Sequence, residues 1–302
     1  MIFDSIAYML EAAQSADKPL WQVIMAADAE EQGISEETSL HKIRTLLAAM
    51  READSAYHAE DRSGSGLSGG CADRMAAAKA AGQTIAGDFM ADIIAGALRM
   101  AESNACMKRI VAAPTAGSCG VLPTLLFNYA LRFNLTDEDL LPALYIAAGF
   151  GQLIANRASI AGAEGGCQAE VGSASAMGAA ALVQLHGGSP HMMAQACAMA
   201  IKNLMGLVCD PVAGLVEVPC VKRNVIGAMN ALAAAEMALA GIESFIPPDE
   251  VLDAMREVGL SMPSALRETG EGGLAATPTG RAVRQRLTAA PSSVNKGNRS
   301  GR

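Results

Sequence analysis

The chain has 302 residues, enough to bury a substantial core without a disulfide or a metal to fold it, as one large domain or two small ones. Hydrophobic residues make up 51% but aromatics only 4%, with 17 Met, so Ala, Leu, Ile, Val and Met must fill the interior; closely packed helices suit this, and β-sandwiches or barrels do not. A net charge of −8, with the only basic run in the extreme tail, excludes a general nucleic-acid surface.

Residues 1–62 read as an N-terminal helical module. Ile2, Phe3, Ile6, Met9 and Leu10 share one helical face, and Leu40, Ile43, Leu47 and Met50 repeat the pattern. Asp17 before Pro19, and Ser35 after Gly33, mark helix starts, while His41 and His58 belong to a solvated face. The opening MIFDSIAYMLEAAQ has no basic n-region and no cleavage-like site, so a cytoplasmic protein is expected. DRSGSGLSGG, from Asp61 to Gly70, is too glycine-rich for a helix; it reads either as backbone that approaches an anion or as a hinge.

Residues 63–287 read as a helical catalytic domain with Gly/Pro-rich loops, giving an all-α fold. The loop APTAGSCGVLP, residues 113–123, sets Thr115, Ser118 and free N–H groups between helices, a plausible carboxylate nest. A capping box from Thr136 to Asp139 opens a helix toward Asn156 that Pro142 should kink. The uncharged stretch from Val171 to Ile201 is long enough for a bilayer, but HGGSPH at His186 to His191 interrupts it. It reads as two buried helices, Ala174 to Leu185 and His191 to Leu207, with no membrane span. Pro247-Pro248 starts another amphipathic helix, TGEGGLAATPTGR is loop-like, and residues 288–302 are expected to be disordered.

No CxxC, HExxH or P-loop is present, and no two of the four histidines have a ligand spacing; His186 and His191 read as surface-turn residues. Seven cysteines, an odd number, argue for reduced thiols. Cys106 and Cys197 fall on helices among Ala and Met and read as packing, whereas Cys71, Cys119, Cys167, Cys209 and Cys220 lie in Gly- or Pro-bounded turns. The last three suggest ligands of one metal centre, although from spacing alone a small buried hydrophobe, the usual fate of a cysteine, is the more common reading of each. Thiolates favour zinc or iron-sulfur clusters. Three of them on a cubane leave one iron open as a Lewis acid, which suits dehydration of a hydroxy acid.

The segments SGLSGG, APTAGSCGVLP, GAEGGCQAEVGSASAMGAAA, KNLMGLVCDPVAGLVEVPCVKRN and RETGEGGLAATPTG resemble those of the iron-sulfur-dependent L-serine dehydratase (L-serine ammonia-lyase) family, and more narrowly its separate α chain. The similarity runs from about Glu60 to Leu287. It implies a helical catalytic domain and a [4Fe-4S] cluster on Cys167, Cys209 and Cys220, with no ligand role for Cys119; Cys71 stands where the family often has an acid. The implied reaction takes L-serine to pyruvate and ammonia without pyridoxal phosphate, in amino-acid catabolism and gluconeogenesis. The open iron holds hydroxyl and carboxylate while a base removes the Cα proton. Ser65, Ser68, Thr115 and Ser118 are candidates for gripping the carboxylate, and Lys222 or Arg223 for neutralising charge. Glu170 and Asp210 flank ligand cysteines and would orient the ammonium, support the ligands or cap turns. The base stays unnamed. A separate β chain is implied, and the tail NKGNRSGR lacks the cysteine that some single-chain relatives place over the open iron. The competing readings are a cluster lyase acting on L-cysteine or another small amino acid, and a non-catalytic helical scaffold.

Overall fold

Small residues decide how closely the helices of this protein approach. The computed structural model describes residues 3–289, and thirteen α-helices with no β-strand are found among them. The first three are α1 (Ile6–Ala16), α2 (Leu20–Gln32) and α3 (Glu36–Ser55). Ser5 and Ser35 cap α1 and α3, each accepting a backbone N–H at 3.1 Å, from Tyr8 and Thr38. Asp17 does not open a helix as expected. It closes α1 in the left-handed conformation at φ 49°, and Pro19 alone precedes α2. Phe3, Ile6, Met9, Leu20 and Ile24 share one hydrophobic cluster with Tyr145, Phe150 and Ala180.

Next come α4 (Cys71–Ala80), α5 (Gly87–Ala105), α6 (Val121–Phe133) and α7 (Asp137–Arg157). Residues 64–69, GSGLSG, spell a GxGxxG, but no strand precedes them among the described residues, so a dinucleotide loop does not apply. The Thr136–Asp139 capping box is formed, with Thr136 N donating to Asp139 Oδ2 at 2.7 Å. The helix then continues through Pro142 to Arg157 without a break.

The single turn α8 (Gly162–Gly165) and a π-helical turn at Gln168–Gly172 lead into α9 (Ser173–Leu185). Every residue from Ser173 to Val183 is buried, and α9 is the central rod against which α6, α7, α10 (Pro190–Leu204) and α11 (Cys220–Leu239) pack. Only small side chains allow this: a Cβ added at Gly178 would sit 2.5 Å from Leu125 Cδ1. His186 to Ser189 turn the chain between α9 and α10, and no helix of the described residues is long and apolar enough to cross a membrane. The last helices are α12 (Pro248–Ser261) and α13 (Pro278–Ala289). The segment read as loop-like from Thr269 thus becomes helical at Pro278, and Thr288 and Ala289 belong to α13; residues 290–302 of the expected disordered tail lie outside the described residues. With Gly280 its only buried residue, α13 carries almost no apolar period by which to recognise it.

Candidate metal centre

Each of the three cysteines singled out is fixed by a different local device. Cys167 follows Gly166, whose φ of +74° and closeness to the Leu207 carbonyl leave no room for a side chain. The next residue, Gln168, anchors the turn: its N donates to Leu207 O at 2.9 Å, its Nε2 to Met255 O at 2.8 Å, and its Oε1 accepts Gly206 N at 2.8 Å. Cys209 is extended and pairs with Arg267 across two backbone hydrogen bonds of 2.8 Å, from Cys209 N to Leu266 O and from Glu268 N to Cys209 O. Cys220 is the first residue of α11, fixed directly behind the Pro219 that starts the helix.

All three cysteines are buried, at 2, 2 and 7% exposure. Cys167 Sγ, Cys209 Sγ and a carboxylate oxygen of Glu170 lie within 4.8 Å of one another. Cys220 stands outside that trio, but close enough for the Cys167 charge to act on it. A hydrogen bond from Cys209 and the Arg223 guanidinium hold the Cys167 thiol below its ordinary range. Cys209, the donor of that bond and itself buried, is pushed up, and burial pushes Cys220 up to about 12. Two thiolates and a carboxylate so close together need a cation to coexist. The donor set, soft sulfur with one carboxylate at its edge, fits a thiophilic centre such as an iron-sulfur cluster.

Arg223 braces the site from α11. Its Nη1 donates to Cys167 Sγ at 3.3 Å and Val208 O at 2.7 Å, and its Nη2 to Asp210 Oδ1 at 2.8 Å. Asp210 Oδ2 in turn accepts Leu274 N at 2.8 Å, so Asp210 is committed to holding Arg223 and the 273–276 turn. Glu170 sits in a glycine cradle. A Cβ at Gly117 would fall 2.9 Å from its Oε1, and one at Gly162 would fall 2.8 Å from its Oε2 and 2.9 Å from Glu268 Oε2. Burial raises the Glu170 pKa and the Glu268 charge adds to this, while the Thr115 hydroxyl, donating to Oε1 at 2.7 Å, opposes it.

The other singled-out residues fall into two groups. Thr115 and Ser118 form a capping box in which Ser118 is fully buried and serves its own loop, whereas Thr115 also reaches Glu170. Ser65, Ser68 and Lys222 gather at Glu217 instead: Ser65 Oγ donates to Glu217 Oε1 at 2.8 Å, and Ser68, Glu217 and the exposed Lys222 line a cavity of about 40 Å³. Glu217 is buried, with Oε2 unpaired, and was missed although it lies three residues before Cys220 in the VEVPC segment. Asn224 was missed as well. One turn past Cys220, it binds Gly117 O and Cys220 O at 2.8 and 3.0 Å and accepts Gly120 N at 2.8 Å, tying the 113–123 loop to α11. The only hint was its place in the VKRN segment. Cys119 and Cys197 are completely buried, Cys119 Sγ facing Met100 O at 3.7 Å, while Cys71 Sγ accepts from Arg74 at 3.0 Å.

The family model described as serine dehydratase alpha chain matches residues 15–275. A probable L-serine dehydratase alpha chain of Bacillus subtilis is 46% identical over 286 residues, 95% of each chain. One from Latilactobacillus sakei is 55% identical over 209 residues, 69% of this chain and all of its own. The L-serine dehydratase alpha chain of Peptoniphilus asaccharolyticus is 51% identical over 204 residues, covering 68% of this chain and 70% of its own. With a match that spans both the helical scaffold and the cysteine-bearing turns, the chain belongs to the serine dehydratase alpha chain family.

Proposed function

We propose that this chain is the catalytic α subunit of an L-serine dehydratase, converting L-serine to pyruvate and ammonia around a [4Fe-4S] cluster held by Cys167, Cys209 and Cys220. The observation that carries the reading is the buried meeting of two cysteine sulfurs with Glu170, in a chain whose relatives bear that name. When bound, the cluster supplies a Lewis acid that eases loss of the serine hydroxyl. Arg223 keeps Cys167 oriented and offsets negative charge at the donor set. Glu170 takes the Cα proton, and Thr115 fixes the carboxylate oxygen that receives it. Loss of hydroxide leaves aminoacrylate, which tautomerises to an imine and hydrolyses. Buried Glu217, held by Ser65, lies beside Lys222 and Ser68 and gives the loop of residues 61–70 an acidic neighbour suited to an ammonium group.

The relatives are named alpha chains, which supports a β chain as the working partner. Seven unpaired cysteines support a reducing, cytoplasmic location. The test is anaerobic reconstitution with iron and sulfide in the presence of the β chain, followed by turnover of L-serine, L-threonine and L-cysteine. Charge-transfer absorbance and preferred turnover of serine are expected, and both should vanish on Cys209→Ser. Preferred turnover of cysteine would replace the substrate. An unchanged absorbance in Cys209→Ser would remove the cluster assignment, and serine turnover that survives iron chelation but stops with a carbonyl-trapping reagent would indicate pyridoxal phosphate.

A further inference from the structure

A cavity of about 530 Å³ opens between the end of α7, α8, α12 and the segment that follows α12, and none of the cysteines lines it. Its volume falls in the range of small-molecule sites. Two arginines reach it without a carboxylate partner. Arg256, exposed on α12, has no hydrogen bond or ion pair among the described residues. Arg267 makes a single long one, from Nη1 to the Glu164 carbonyl at 3.4 Å, and its Nε is buried without an acceptor. Other guanidinium groups packed into the fold are engaged by acids, as Arg157 is by Asp249 and Asp253, Arg99 by Asp54 and Arg223 by Asp210. The one carboxylate in the wall, Glu164, is turned to the Ser159 hydroxyl at 2.7 Å. Met255 and Leu260 supply apolar surface beside these charges.

We propose that this cavity binds a small organic acid, its carboxylate taken by Arg267 and Arg256 and its carbon skeleton laid against Met255 and Leu260. A planar guanidinium matches the paired oxygens of a carboxylate, and Arg267, partly buried with one long bond to a carbonyl and no acid, is the strongest demand for an anion in this region. The site is also joined to the thiol centre by backbone. Arg267 faces Cys209 across their paired hydrogen bonds, and Gln168, which lines the cavity, directly follows Cys167. An acid seated there would steady the 266–268 segment that holds Cys209 and carries Glu268, so occupancy of the cavity and occupancy of the thiol centre should influence each other reciprocally.

The cavity is formed by side chains that do not hold the cluster, so it is tested both without and with it. Isothermal titration of the full chain, first free of iron and then reconstituted, would use pyruvate, L-serine and succinate, with inorganic phosphate as the control for charge alone. Saturable binding of at least one acid is expected in both states. It should weaken tenfold or more in Arg256→Gln and in Arg267→Gln and persist in Glu170→Gln. Arg256 has no partner to lose, so its replacement keeps the test clear of folding defects, and circular dichroism checks both variants. The proposal fails if no acid saturates, if binding survives both arginine changes, or if phosphate binds as tightly. It fails too if Glu170→Gln alone abolishes binding, since the acid would then sit at the thiol centre.

Discussion

Arg223→Met tests whether the thiol centre is held by a buried charge network. The guanidinium is 13% exposed and its partner Asp210 4% exposed, with 2.8 Å between Nη2 and Oδ1. Removing one member of such a pair leaves a buried charge uncompensated, at a cost of about 3–5 kcal/mol. Asp210 keeps the Leu274 N–H at 2.8 Å, which draws the expectation to the lower end of that range, about 3 kcal/mol. At 2–4 °C per kcal/mol for a domain of this size, the melting temperature should fall by roughly 6–12 °C. The assay is urea unfolding of the full chain under reductant, followed by far-ultraviolet circular dichroism, for wild type, Arg223→Met, Asp210→Asn and the double variant. The double variant should recover much of the loss, because the neutral amide introduced by Asp210→Asn no longer needs the guanidinium. A loss below about 1 kcal/mol, the level of an exposed pair, or strict additivity of the two single changes would refute the reasoning.

Gly273 has φ +57° and its added Cβ would lie 2.7 Å from Asp210 Cβ, so Gly273→Ala should cost at least about 1–2 kcal/mol from the left-handed backbone alone, read as a lower urea midpoint. Asn224→Ala strands Gly120 N and Gly117 O in the interior and should destabilise by roughly 2–3 kcal/mol in the same assay, while Asn224→Asp, which keeps the acceptor but sets a second oxygen against the Gly117 and Cys220 carbonyls, should lose at least as much. The folded state binds the Glu170 proton more tightly than the unfolded chain does. Its contribution to stability is therefore fully present below the ordinary carboxylate range and is lost as pH rises through the raised folded value. Glu170→Gln should flatten that part of the stability profile, and an unchanged slope between pH 4 and pH 8 would show that Glu170 does not titrate abnormally.

Helix starts with a side-chain or proline signal were legible: Ser35, the Thr136–Asp139 box and Pro248 each open a helix. Asp17 was misread because acids that favour helix starts also tolerate the left-handed conformation at helix ends. The last helix was missed because Pro278–Ala289 buries almost nothing, so no apolar rhythm marks it. Within the site, Glu170 drew notice only as a neighbour of Cys167. Its proximity to Cys209 and Thr115 depends on the π-helical turn at Gln168–Gly172 meeting the 113–123 loop, a contact between segments about fifty residues apart.

By itself the sequence determined the class of fold and the short list of thiols. A chain with 4% aromatics and 30 glycines has few large rings to fill the space between sheets, but it can bring helices close, as α9 does. Gly- and Pro-bounded turns likewise marked Cys71, Cys119, Cys167, Cys209 and Cys220 as candidates. The resemblance narrows these to Cys167, Cys209 and Cys220, and the meeting of Cys167 and Cys209 with Glu170 was decided only by tertiary structure. Cys119 faces the Met100 carbonyl and Cys71 faces Arg74, whereas Cys209 is brought beside Cys167 by pairing with Arg267 and by Arg223 reaching across from α11. The direction of a side chain at a turn follows from how distant elements pack around it, and spacing along the chain does not encode that packing.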